Sequence, residues 1–150
     1  MSIAEHRMTI LLVEDNPKDE LLTRRELERH KLANHIVVAH DGAEAIELLY
    51  GENGLATNGE QNMPAAVMLD LKLPKLDGHQ VLERIRADTR TKTLPVVILT
   101  SSDLESDITR GYENGANGYV CKPVDFDEFR ETIKKLGLFW LLTNTPPPMS

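Results

Sequence analysis

The residues best suited to chemistry stand where apolar runs stop. "TILLV" (9–13) is followed by Glu14 and Asp15, and "AAVML" (65–69) by Asp70. "PVVILT" (95–100) ends in Thr100, with Ser101 next, and "GYV" (118–120) leads into "CKP", which carries Lys122. If these runs are strands of one open parallel sheet, their carboxyl ends face one crevice, and three acids, two hydroxyls and an ammonium meet there. Two unit charges 4 Å apart repel by about 4 kcal/mol at an effective dielectric of 20. Clustered Glu14, Asp15 and Asp70 therefore call for a cation or a proton. Hard oxygen donors with room for water suit Mg²⁺, which takes one or two carboxylates plus phosphate oxygens. Lys122 adds a fixed positive charge. Such a set is equipped to receive a phosphoryl group, whose transfer needs positioning and charge neutralisation. Asp70 is the candidate nucleophile, since carboxylates form aspartyl phosphates.

The spacing of apolar residues predicts the elements that would hold this set. Strands are expected at 9–13, 35–39 ("HIVVA"), 65–69, 95–100 and 118–120. Helices are expected at 19–30, where Leu21, Leu22 and Leu27 recur at helical spacing, and at 41–50, 78–88, 103–115 and 125–136. Strand and helix alternating five times predict an α/β fold on a parallel sheet. The strands read as continuous Val/Ile/Leu runs, as in sheets covered on both faces. Asp103 and Asp125 read as helix N-caps. "GENGLATNGEQNMP" (51–64) reads as an extended, mobile surface loop, a neutral insertion.

Bulk properties remove several function classes. The chain has 150 residues, enough for one domain with a real core, and 41% are apolar and 27% charged. A net charge of −7 without a basic stripe argues against nucleic-acid binding. No run reaches the ~18 apolar residues of a membrane span, and "MSIAEHRMT" lacks the layout of a secretory signal. A cytoplasmic location is expected. The single cysteine, Cys121, precludes an internal disulfide and reads as small apolar filler. His6, His30, His35, His40 and His79 show no metal-ligand spacing and read as solvated or incidental.

Four stretches together, "LLVEDNP", "LDLKLPKLDG", "VVILTSS" and "GANGYVCKPVD", resemble the receiver domain of two-component response regulators, from about Thr9 to Leu136. The resemblance implies a doubly wound, flavodoxin-like fold with five parallel strands in the order 2-1-3-4-5 and five helices. It implies that Asp70 accepts the phosphoryl group. Asp15 would ligate Mg²⁺ directly, Glu14 would hold a metal-bound water, and the main-chain carbonyl of Lys72 would complete the protein ligands. Thr100 would be the switch hydroxyl, Lys122 the phosphate-pairing lysine and Tyr119 the aromatic that turns inward with Thr100. Pro123 suggests a cis Lys122–Pro123 bond, and Lys72 and Ser102 fall where receivers tune the lifetime of the phosphate. The implied partner is a histidine kinase. The protein would be a phosphoacceptor and not a turnover enzyme on an external substrate.

Receiver 7–137 is followed by an apolar, Pro-rich tail, 138–150. That tail contains no basic residue and is too short for a DNA-binding module. Phe139, Trp140, Leu141 and Leu142 offer either a cap on the core or an apolar patch for a homodimer, formed with the helix 4–helix 5 face. Such a tail resembles that of lone receivers paired with phytochrome-type kinases. Other readings fit less well. A haloacid-dehalogenase-type phosphatase wants a second Asp two residues after the nucleophile, where Lys72 stands. A flavin-binding relative needs a Ser/Thr/Gly-rich phosphate loop where "EDNPKDE" is acidic. A structural adaptor that merely retains the acidic site is the remaining alternative.

Overall fold

The computed structural model describes residues 9–29, 35–57, 62–101 and 105–122, with Asp127 and Glu131. The elements are β1 (Thr9–Val13), α1 (Pro17–Arg29), β2 (His35–Ala39), α2 (Gly42–Tyr50), β3 (Ala66–Leu69), α3 (Gly78–Ala87), β4 (Val96–Thr100), α4 (Glu105–Glu113) and β5 (Gly118–Cys121). All neighbouring strands are parallel, in the order β2-β1-β3-β4-β5. The expected fifth helix, 125–136, lies outside the described residues except for Asp127 and Glu131, both helical. Asp103, Pro123, Asp125 and the tail from 138 onward also lie outside them.

The central strands β1, β3 and β4 are buried, with Leu11, Val13, Val67, Leu69, Val96 and Ile98 at 0% exposure. Their continuous apolar runs follow from having helices on both faces. The edges depart from that pattern. β2 is only half-buried up to Ala39, and β5 alternates buried and half-buried residues. A strand with one neighbour need not be apolar on every side. α1 turns Thr23 and Leu27 inward. Leu21 and Leu22 are about half exposed.

Capping chemistry sets the helix boundaries. α1 starts at Pro17, two residues before the expected Asp19, because Asn16 caps it. The Asn16 Oδ1 accepts hydrogen bonds from the backbone N–H of Lys18 (2.9 Å) and Asp19 (3.1 Å). Asn at the cap and Pro at the first helical position is a favoured pair. Asp41 caps α2 by accepting from Glu44 N–H, and Asp77 forms a reciprocal capping box with Gln80 on α3. α4 stops at Glu113, short of the expected 115. Gly115 takes a φ of 98°, while Ala116 N–H donates to Gly111 O and Gly115 N–H to Tyr112 O. This is the Schellman pattern, which needs a residue that tolerates the left-handed conformation.

The loop after α2 corrects the expectation of an extended insertion. Leu55 and Ala56 donate back to the carbonyls of Leu48 and Leu49 (2.8 and 2.9 Å), and Ala56 is buried. Its first half is thus a compact turn tied to α2; residues 58–61 lie outside those described. His79 is a second correction. It is not solvated but 4% exposed, on the inner face of α3, with its Nε2 3.8 Å from Asp107 Oδ1 on α4. At the other extreme, exposed His40 pairs with Glu20 at 2.9 Å.

Candidate functional site

Strand register assembles the site. Val13 lies opposite Leu69, so the residues leaving β1 and β3 emerge side by side. Asp70 N–H donates to Val13 O (3.1 Å), and Glu14 N–H to Ala39 O (2.9 Å). Thr100 lies opposite Cys121, which sets Lys122 one step past the end of the sheet. Gly78 permits the close return of α3 beneath this end, since a Cβ there would come 2.2 Å from the Asp70 carbonyl oxygen. Adding a side chain at 78 would push Asp70 out of line.

The three predicted acids converge. One carboxylate oxygen each from Glu14, Asp15 and Asp70 lies within 4.8 Å of the others. Glu14 and Asp70 are buried, at 1% and 6% exposure, whereas Asp15 is exposed. Lys122 Nζ donates to Asp70 Oδ2 at 2.8 Å and makes an ion contact with Glu14 Oε1. Lys72 meets the site through its backbone, whose N–H donates to Asp70 Oδ1 at 3.1 Å, while its residue is exposed. Both Asp70 oxygens are therefore oriented by donors. The backbone of Thr100 ends β4 at the site; its side chain lies outside what is described. Tyr119 is half-buried on β5 against the core, beside Ile98 and under Gly111 of α4.

Two contributors went unread in the sequence. Asn16 N–H donates to Glu14 Oε2 (3.2 Å), linking the α1 cap to the acid pair. Asp19, in the first turn of α1, accepts from Lys122 Nζ at 3.0 Å. An acid in a first helical turn is ordinarily a dipole partner, so its type carried no distinguishing signal. The Asn-Pro pair could have revealed the true helix start and moved Asp19 toward the site.

Three carboxylates thus face one ammonium, with Asp15 beside two of them. Burial pushes the Glu14 carboxyl up from 4.5 to about 7, and the nearby Asp70 charge adds to this against the pull of Lys122. Burial favours a neutral Lys122, but hydrogen bonds and charge from Asp70, Glu14 and Asp19 outweigh it and hold the ammonium firmly protonated. The surplus of negative charge follows from the count, with Glu14, Asp15, Asp19 and Asp70 gathered near a single ammonium. The hard-oxygen donor set fits a divalent cation in water-accessible surroundings.

The response regulator receiver domain family matches residues 10–134. The bacteriophytochrome response regulator AtBRR superposes with a TM-score of 0.77 at 48% identity, covering 91% of this chain and 96% of that one. The phosphorylated cyanobacterial phytochrome response regulator RcpA superposes with a TM-score of 0.73 at 35% identity, over 95% and 99% of the two chains. Response regulator Rcp1 of Synechocystis is 33% identical over 138 residues, 92% of either chain. Its Mn²⁺-bound form superposes with a TM-score of 0.72, over 94% and 99%. Among the described residues no helix is long and apolar enough to cross a membrane. The matched residues hold all five strands and the acidic crevice, and the chain belongs to the receiver domains of two-component response regulators.

Proposed function

We propose that the chain takes a phosphoryl group from a histidine kinase onto Asp70 and signals through the resulting change of surface. The observation that carries this reading is the placement of Asp70, buried at a strand end with Lys122 Nζ 2.8 Å away and Glu14 and Asp15 beside it. The P–N bond of the kinase phosphohistidine breaks as an Asp70 oxygen bonds to phosphorus, and the histidine keeps the electron pair. Mg²⁺, held by Glu14, Asp15, Asp70 and the Lys72 carbonyl, would supply charge neutralisation for the phosphoryl oxygens. Lys122 pairs with one of those oxygens, and Lys72 N–H keeps the Asp70 carboxylate in plane. Thr100 donates its hydroxyl to the phosphoryl group and Tyr119 follows inward, biasing the α4–β5 face between two states. Incubation with Mg²⁺ and a small phosphodonor should add one phosphate by mass spectrometry, and Asp70→Asn should add none. Wild-type protein without label would leave the structural-adaptor reading.

The phytochrome response regulators among the relatives support a phytochrome-type kinase as partner. Residues 7–137 form the receiver and 138–150 a tail whose Phe139, Trp140, Leu141 and Leu142 join the α4–β5 side in a homodimer. Sedimentation should show a dimer for the full chain and a weaker one for a chain cut after Leu136. Identical monomers with and without a phosphoryl mimic would refute the dimer.

A further inference from the structure

The three carboxylates around Lys122 are not equivalent. Glu14 and Asp70 belong to the group of acids close enough to share an ion. Asp19 stands outside it, on α1, with its side chain 36% exposed against 1% and 8% for the other two. Its backbone is nonetheless fixed. Asp19 N–H donates to Asn16 Oδ1, and Asn16 N–H to Glu14 Oε2, so the first turn of α1 is pinned to the acid pair. A divalent ion held by Glu14 and Asp70 would take at least one oxygen from each. Asp19 is the carboxylate at Lys122 Nζ that stands outside the group able to share the ion, so its contact with the ammonium would not compete with the metal.

We propose that Asp19 is a positioning residue that holds the Lys122 ammonium at the Asp70 carboxylate while a metal ion occupies the acid cluster. This deepens the phosphoacceptor reading and rests on it. A lysine ammonium is a compact charge on a flexible four-carbon stem. Of its three N–H donors, one directed to Asp19 restrains the head group and leaves the others for the phosphoryl oxygens. The tether needs an acceptor oxygen more than it needs a charge. Asparagine keeps that oxygen and alanine does not, while both remove the same charge from the helix terminus and from the metal.

The test compares Asp19→Asn with Asp19→Ala in the full chain. Three quantities are measured: Mg²⁺ affinity by titration, the phosphorylation rate by a small phosphodonor at saturating Mg²⁺, and the Lys122 ammonium NMR signal with Mg²⁺ alone. That signal is assigned by its loss in Lys122→Arg. The two variants should bind Mg²⁺ within about twofold of each other, since they share any Coulombic effect. Asp19→Asn should phosphorylate about threefold to tenfold faster than Asp19→Ala, the range of one hydrogen bond. The ammonium signal should persist in the Asn variant and broaden in the Ala variant. Equal rates and equal signals in the two variants would overturn the tether. A wild-type protein that takes up no phosphate would instead sink the phosphoacceptor reading, and the tether with it.

Discussion

Two half-buried cations anchor opposite ends of this molecule, and they are treated differently. At the carboxyl end of the sheet, Lys122 faces the carboxylates of Glu14, Asp19 and Asp70, with Asp15 close by. At the other end, Arg86 of α3 meets only neutral acceptors among the described residues. Its guanidinium donates to the carbonyls of Gly115 (2.9 Å), Leu94 (2.7 Å) and Thr91 (3.3 Å), and to Asn117 Oδ1 (2.8 Å). Asn117 Oδ1 also accepts from Val96 N–H at 2.9 Å, at the start of β4. The planar fork of Arg matches several fixed acceptors at once. The Arg86 corner ties α3, the α4–β5 turn and β4 together through neutral acceptors. The Lys122 end carries surplus negative charge and is completed only by something bound. Dense hydrogen bonding to neutral acceptors marks a structural joint; unbalanced charge marks a site.

Removing each cation or its partners tests that contrast. Arg86→Ala should have the largest effect, because it strands several carbonyl oxygens: about 3 kcal/mol of stability lost in urea denaturation. Phosphate uptake per folded molecule should stay as in wild type. Arg86→Lys should recover only part of the loss, since a lysine cannot reproduce the fork. A large drop in uptake by folded Arg86→Ala would erase the distinction between joint and site.

The site end should instead respond to pH. The folded Glu14 carboxyl sits at about 7 against 4.5 ordinarily, so the folded chain holds a proton that the unfolded chain releases. For the metal-free protein this group alone costs stability as pH rises from 4.5 through about 7. A divalent ion needs the ionised form, so Mg²⁺ affinity should increase about tenfold between pH 6 and pH 8, with up to one proton released per ion. Calorimetry in buffers of different ionisation enthalpy measures both, and Glu14→Gln should flatten the dependence. A flat wild-type profile would show that Glu14 is already ionised at neutral pH.

The smallest effect sharpens the joint end. Thr91 Oγ1 donates to Ile85 O at 2.7 Å, so its single proton is committed, and Tyr50 OH must donate to Thr91 Oγ1, also 2.7 Å away. Tyr50→Phe should cost about 1 kcal/mol in the same denaturation assay, with Mg²⁺ affinity unchanged.

Much of this architecture was legible. Runs such as "TILLV" and "PVVILT" are short, apolar and bounded by polar or turn residues, so β1 and β4 were found within a residue of their ends. Asp70, Glu14, Asp15 and Lys122 were found because an ionisable residue directly after such a run must lie at the strand's end. His79 was misread because burial of a polar side chain depends on neighbours from α4. The fold-back of Leu55 and Ala56 was hidden in a Gly- and Asn-rich stretch whose composition suggests only a loop.

Local pattern determined which segments are strands and helices and which charged residues sit at their ends, because side-chain period and capping act over a few residues. The tertiary structure alone decided what those ends touch. Lys122 meets Asp70 across 52 residues and Asp19 across 103. Such contacts depend on parallel register and on where a helix cap begins the turn of α1, and both are set by how the whole sheet closes its core.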